Sequence, residues 1–421
     1  MTIFLLLWTA LIGADRINLL GAHSPFVLTP FLALTPAVVL IELRRRQRTG
    51  SRVVLPGGAL PFIVLSLVLL CLCLASIYVS RDFRSSAPRA VQLALMMCST
   101  FAVLLLTRDR QDIQAVLARG ARWGLWVCIA FNVAGILVWL HILPEQIPRQ
   151  FGAVRLVPDV YAGVVPRLAG MVMDSNRAGL LMLVFAFLIG RGEENRARAW
   201  RWMVVASVLI LLTISRSSIL AWLACIALVM INNRRATLPR GLIAFASILM
   251  ALGAAGLLTV PTLRDRIVRG AEPLRGRLTF EEGSSQDHLR LLKRGFATGT
   301  QSIGTALHGI GYGSAHTVLQ DFFPGSRYGN FHSVYVGVFA ESGIFAFIAL
   351  AFLIALPLLK RTEYAPLVGS LALFGMFYNA LAEPVFWLVL VFGWIGLPEK
   401  SSRPKPMANA TARPRIAPSS N

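Results

Sequence analysis

GNFHSVYVGVFAESGIFAF, residues 329–347, sets a histidine, His332, at the mouth of a long apolar run and a glutamate, Glu341, well inside it. The run stays apolar past residue 347, long enough for a membrane span of about 17–25 residues. An ionisable residue within such a span is expensive and usually faces a bundle interior with a partner. The segment therefore reads as a membrane helix with polar work at its mouth and in its core.

The rest of the chain agrees. Hydrophobic residues make up 56% of 421 and charged residues 14%, and the mean hydropathy is +0.66, far more apolar than a soluble domain. An all-α polytopic membrane protein is expected, with about twelve spans. They fall near 2–20, 26–43, 58–80, 90–107, 123–142, 168–190, 202–214, 217–232, 241–260, 332–356, 364–382 and 384–398.

Short loops rich in Arg and Lys stay on the cytoplasmic side. ELRRRQRTGSR, TRDRQDIQAVLARGAR, GRGEENRARAWR, NNRRATLPR and LKRTEY all come inside if both termini are cytoplasmic; SRDFRSSAPR alone is basic on the wrong side. The first helix has no cationic leader region or small-residue cleavage site and reads as a retained span. Residues 1–398 then form one membrane domain, and 399–421, rich in Pro, Ser, Ala and Arg, read as a disordered basic tail attracted to anionic lipid. The net charge of +21 sits mostly in inside loops and the tail, so topology accounts for it and no nucleic-acid partner is implied. Cys71, Cys73, Cys98, Cys128 and Cys225 lie in apolar spans as packing residues, and no cluster has metal-ligand spacing.

Two outside segments break the pattern of short turns. One, 143–167, carries Arg149, Arg155 and Arg167; the other, 261–331, lies between the ninth and tenth spans. The second holds Arg264, Arg266, Arg269, Arg275, Arg277, Arg290, Lys293, Arg294 and Arg327. Within it, DHLRLLKRGF places Leu289, Leu292 and Phe296 at helical spacing beside cations. This is either an interfacial helix with snorkelling arginines or a site for a polyanion, whose oxygens an arginine fork grips in pairs. Further polar residues gather at the same depth: Arg167, Asp174, Asn176 and Arg177 in RLAGMVMDSNRAG, Arg216 in LTISRSSILA, and Glu383 in NALAEPVFW. One such residue could be a structural pair; a cluster at one depth suggests a cavity opening outward.

Those motifs, an arginine-bearing stretch followed by GIGYG, and then FHSVYVGVFAESG resemble, in this order, the signatures of the O-antigen ligase and O-antigen polymerase superfamily. The resemblance covers roughly residues 165–360. It implies an inner-membrane, GT-C-like glycosyltransferase working on the periplasmic face, with 261–331 as its long periplasmic loop. The donor would be a glycan on undecaprenyl pyrophosphate and the acceptor lipid A-core or another glycan, with no metal or other cofactor. Neither outside loop has a D-x-D pair, so arginine must meet the charge on the departing pyrophosphate. Carried over by motif, Arg216 and Arg290 hold the pyrophosphate, with Lys293 and Arg294 in support, and Arg294 can substitute for Arg290. His332 would be the base, or else a helix-capping histidine; Arg167, Asp174, Asn176 and Glu341 would support the cavity. Glu341 is expected to pair with Arg177 or with backbone.

The chain departs from the family pattern in two places. His332-Ser333 stands where the family commonly shows His-Asn, and neither loop has the Arg-x10-Gly spacing frequent in polymerases, which favours ligase over polymerase. A transporter is the remaining alternative. Transporters usually show internal repeats and place their polar residues near mid-membrane in broken helices; the sequence shows no repeat, and its polar cluster sits at the outer edge.

Overall fold

The computed structural model describes residues 2–20, 27–52, 55, 58–149, 152–161, 165–232, 283–325 and 329–396. Its helices are α1 (Thr2–Ala10), α2 (Pro30–Thr49), α3 (Ala59–Ser76), α4 (Phe83–Thr107), α5 (Ile113–Trp139), α6 (Ser175–Gly192), α7 (Arg196–Leu212), α8 (Arg216–Asn232), α9 (Gly283–Gly299), α10 (Ile303–His308), α11 (Val334–Leu359), α12 (Ala365–Phe377) and α13 (Pro384–Ile395). Each expected span that falls on described residues meets a helix; the one at 241–260 lies outside them. Among the described residues, Ala59–Val79, Phe83–Thr107, Ile113–Trp139 and Val334–Leu359 are long and apolar enough to cross a membrane, and α8, α12 and α13 are shorter apolar helices.

Local chemistry sets the helix ends. Thr29 caps α2 ahead of Pro30, and Gly50 closes it in the left-handed region. Asp82 caps α4. The packing is organised around α13, which is apolar on all sides and buried along its whole length, as a helix without a polar face must be. It touches α3, α4, α6, α11 and α12. The indole N–H groups of Trp387 and Trp394 donate to Leu381 O and Leu353 O, both at 2.8 Å, so the polar atoms it carries are satisfied.

Two expectations need correction. The span expected at 2–20 stops at Ala10: the chain turns through Gly13 (φ 79°) and runs into β1 (Ile17–Asn18). Hydropathy misses this because Asp15 and Arg16 are used up inside the fold, Arg16 being 5% exposed. The described residues of 143–167 are not an open loop: β2 (Gln146–Arg149) pairs antiparallel with β3 (Gly152–Arg155) and β4 (Asp159–Tyr161) with β5 (Val165–Arg167). β3 also pairs with β1, Ile17 opposite Val154, giving a sheet of order β1-β3-β2. Of the long-loop cations, Arg264, Arg266, Arg269, Arg275, Arg277 and Arg327 lie outside the described residues, as does the tail at 399–421.

Candidate active site

The first cluster forms where α6 and α8 begin. Asp174 caps α6, its Oδ1 accepting from the N–H groups of Asn176 (2.8 Å) and Arg177 (3.1 Å). Gly179 lets the helices touch: a Cβ there would stand 2.3 Å from Ser218 Cβ. At that contact Asn176 Oδ1 accepts from Ser215 Oγ at 2.6 Å, and Asn176 O accepts from Ser218 Oγ at 2.8 Å. Arg167 donates from Nε to Thr213 O at 3.1 Å and reaches Asn176 Oδ1 at 3.5 Å. Ile214, between α7 and α8, holds φ at 51°, an unusual conformation for a β-branched residue, and delivers Arg216 as the first residue of α8. Arg167, Asn176 and the Arg216 turn are thus brought together.

Arg177 is neutralised. Its guanidinium meets Asp15 Oδ2 and Glu383 Oε1, each at 2.6 Å, which ties the end of α1 to the start of α13. It is a structural clasp and not the partner of Glu341. That carboxylate accepts instead from the backbone N–H of Ala315 at 2.9 Å, the backbone alternative. Nearby, α11 is kinked at Gly343 (φ 84°, ψ −179°), and the carbonyls of Ala340 and Glu341 accept from Ile310 N (3.0 Å) and Gly311 N (2.9 Å). GIGYG is therefore a backbone graft onto a broken helix, which answers the carbonyls the kink exposes. A Cβ at Gly309 would meet Glu341 C at 2.2 Å and one at Gly343 would meet Leu307 O at 2.1 Å. His316 holds the other side of this loop, with Nδ1 3.1 Å from Gly313 O and Nε2 3.0 Å from Asp82 Oδ2. Ser85 and His316 hold the Asp82 carboxyl down to about 2. Glu341→Leu would leave the buried Ala315 N–H without an acceptor, a cost of about 1–3 kcal/mol. Reduced protein in the membrane is expected, with Glu341→Gln milder because its amide oxygen still accepts; immunoblots of membrane fractions measure both.

His332 forms the second cluster. It is held at φ 53° by an Asx turn in which Asn330 Oδ1 accepts from its backbone N–H at 2.8 Å, a strained state of the kind found at functional sites. Its Nδ1 is buried with no hydrogen-bond partner. The ring of His288, on α9, meets it edge-on with centroids 4.6 Å apart, and Phe323 lies at 6.3 Å. Burial first, then His288, lowers the imidazole to about 4, against a smaller opposing pull from Asp174. His332 is therefore neutral at physiological pH and within electrostatic reach of the α6 start. Ser333 caps α11 and donates to Gly375 O at 3.2 Å. Serine and asparagine are equally good caps, so the departure from His-Asn preserves that role.

The helix α9 lies on α11 through a face of small and apolar residues. A Cβ at Gly295 would meet Val336 Cγ1 at 2.4 Å, and Leu291 is buried. His288 belongs to this face and was missed by the sequence reading, which weighed the cations and the apolar residues Leu289, Leu292 and Phe296 around it. Its signal was the spacing His288, Leu291, Gly295, Gly299. Leu289 and Phe296 are exposed, 54% and 61%, although the Phe296 ring still meets Phe339 of α11 with centroids 5.9 Å apart. Arg290, Lys293 and Arg294 occupy the exposed flank: Arg290 pairs with Asp287 at 3.7 Å, and Arg294 Nε donates to Val318 O at 3.3 Å. Among the described residues no group of three His, Cys, Asp or Glu could hold a metal ion.

Fold and site together define a polytopic helical membrane protein with arginines and a neutral histidine at the ends of its helices. Residues 201–351, from α7 into α11, match the family model described as O-antigen ligase, which supports the superfamily resemblance read from the motifs. No curated protein matches the chain.

Proposed function

We propose that the protein is an O-antigen ligase-like glycosyltransferase of the bacterial inner membrane, moving a glycan from undecaprenyl pyrophosphate to a sugar of lipid A-core at the periplasmic face. The observation that carries this reading is that the matched stretch contains both the Arg216 turn, packed on the α6 start, and a neutral His332. Twelve spans, cytoplasmic termini and a GT-C-like arrangement belong to the same proposal.

The chemistry needs a grip on the leaving group and a base. Arg216 opens α8, where the helix dipole favours an anion; Arg290, Lys293 and Arg294 add charge from α9. As the acceptor hydroxyl attacks the anomeric carbon, His332 takes its proton, the bond to the phosphate oxygen breaks, and undecaprenyl pyrophosphate leaves with that electron pair. One displacement inverts the anomeric centre, and arginine in place of metal meets the developing charge.

Deleting the gene and running surface polysaccharide on a gel tests the assignment. Loss of every long-chain band from lipid A-core, with lipid-linked polymer accumulating, is the ligase result. A single repeat unit left on the core would make it a polymerase, and unchanged bands would remove both readings.

His288 supplies a pH test. A base that protonates only near 4 keeps transfer flat across about pH 5–8, since its neutral form dominates throughout. His288→Phe retains an aromatic edge but removes the neighbouring ring's charge, so the acid limb of kcat should move up in pH. An equal loss at every pH would make His288 a packing residue only.

A further inference from the structure

A cavity of about 300 Å³ opens beside the hairpins, lined by Arg16, Glu145, Arg155, Val157 and Met173. It lies at the lower end of the range for ligand pockets, roughly 300–1,000 Å³, and no motif pointed to it.

Its floor is built in advance. The Arg16 guanidinium, 5% exposed, donates from Nε to Val172 O at 2.9 Å and from Nη1 to Val157 O at 2.7 Å and Arg155 O at 3.2 Å. Backbone bonds from Arg155 N to Arg16 O (3.1 Å) and from Leu156 N to Glu145 O (3.0 Å) hold the wall. A fixed cation therefore sits under a mouth bearing one exposed arginine, Arg155, and one exposed carboxylate, Glu145, with apolar surface from Val157 and Met173, each 41% exposed. A carboxylate accepts from sugar hydroxyls, arginine grips a phosphate or carboxylate, and apolar atoms cover ring C–H. A purely apolar ligand would cover the exposed Arg155 and Glu145 without answering their charges, and Glu145 opposes a polyanionic strand.

The cavity also has a place relative to the reaction. Met173 precedes Asp174, whose charge reaches His332. Asp15, next to Arg16, accepts from Met173 N at 2.7 Å and pairs with Arg177. The cavity thus occupies the hairpin flank of the α6 start, and Arg216 the α8 flank. Resting on the transferase reading above, we propose that this cavity is the acceptor subsite and binds an anionic sugar of the acceptor glycan, its hydroxyls on Glu145 and its anionic group on Arg155, with the carbonyl-bound Arg16 fixing the floor beneath them.

The test uses the purified full-length protein in two arms. In transfer assays at saturating lipid-linked donor, Arg155→Ala and Glu145→Gln should each raise the acceptor KM about tenfold or more, the loss of one charge-assisted contact, with kcat and donor KM nearly unchanged. Unchanged acceptor KM in both variants, or a raised donor KM instead, overturns the assignment. In the second arm, calorimetry with deacylated core oligosaccharide should show binding by wild-type protein that Arg155→Ala weakens to the same degree. Phosphatase-treated and carboxyl-reduced oligosaccharide then tell which anion is read. Equal binding by Arg155→Ala, or none by wild-type, overturns the subsite. A wild-type protein that binds the oligosaccharide but never transfers to it removes the transferase reading while leaving the cavity a sugar site.

Discussion

Alanine in place of His332 is expected to lower transfer by about 10²–10⁴-fold, the usual contribution of a positioned base, with donor binding largely intact. The structure prepares this residue for that role. Burial and His288 keep the imidazole neutral, its Nδ1 is left without a partner inside the protein, and the backbone is held at φ 53° against the preference of a residue with a Cβ. A histidine kept only to start α11 has no need of these features, because Ser333 already caps that helix. His332→Ala should therefore not unfold α11, and its level in the membrane should match wild type. The product should carry the anomeric configuration opposite to that of the donor, read by NMR of the new linkage. Substantial transfer by the alanine variant, or retention of configuration, would return His332 to a structural role and end the one-step mechanism.

How far this site could be read from sequence depended on the kind of signal each residue leaves. Spans announce themselves through runs of apolar residues, so α3 and α11 stand close to where hydropathy put them, while α4 and α5 begin seven and ten residues earlier than expected, at Phe83 and Ile113, through stretches whose charges had marked them as loops. The hairpins at 146–167 left no such trace: their strands are three or four residues long, too short for an alternating pattern to stand out from a loop. Residues 11–20 misled for the opposite reason. Their apolar character continues that of α1, yet Gly13 turns the chain and the Arg16 side chain is satisfied by carbonyls from residues 155–172, partners that no local pattern reveals. Glu341 was read as buried and partnered, and only the packing could choose between Arg177 and backbone. His288 was hidden by its neighbours, since three cations within six residues drew the reading to the exposed flank of α9 while the contact with His332 lay on the other face.

Arg216→Ala should abolish most transfer, by about 30- to 1,000-fold, which corresponds to losing about 2–4 kcal/mol of contact to the charge that develops as the pyrophosphate departs. Its position argues for the size of the effect. Arg216 begins α8 directly after the strained Ile214 turn, and Ser215 and Ser218 fasten that turn to Asn176 on α6. The guanidinium therefore starts from a fixed point, where a positioned donor contributes most because little reorganisation remains to be done. Lysine at 216 should restore little, since a point charge cannot reproduce a two-pronged grip on phosphate oxygens. Arg290→Ala should lose less: its side chain is 65% exposed and paired with Asp287, and Lys293 and Arg294 stand on the same flank to take over part of its work. Membrane levels measured alongside transfer rates separate chemistry from folding in all three variants. If Arg216→Ala transfers at near wild-type rate from protein present at normal level, the pyrophosphate is held elsewhere, and if Arg290→Ala proves the more damaging change, the grip lies on α9 and not at the start of α8.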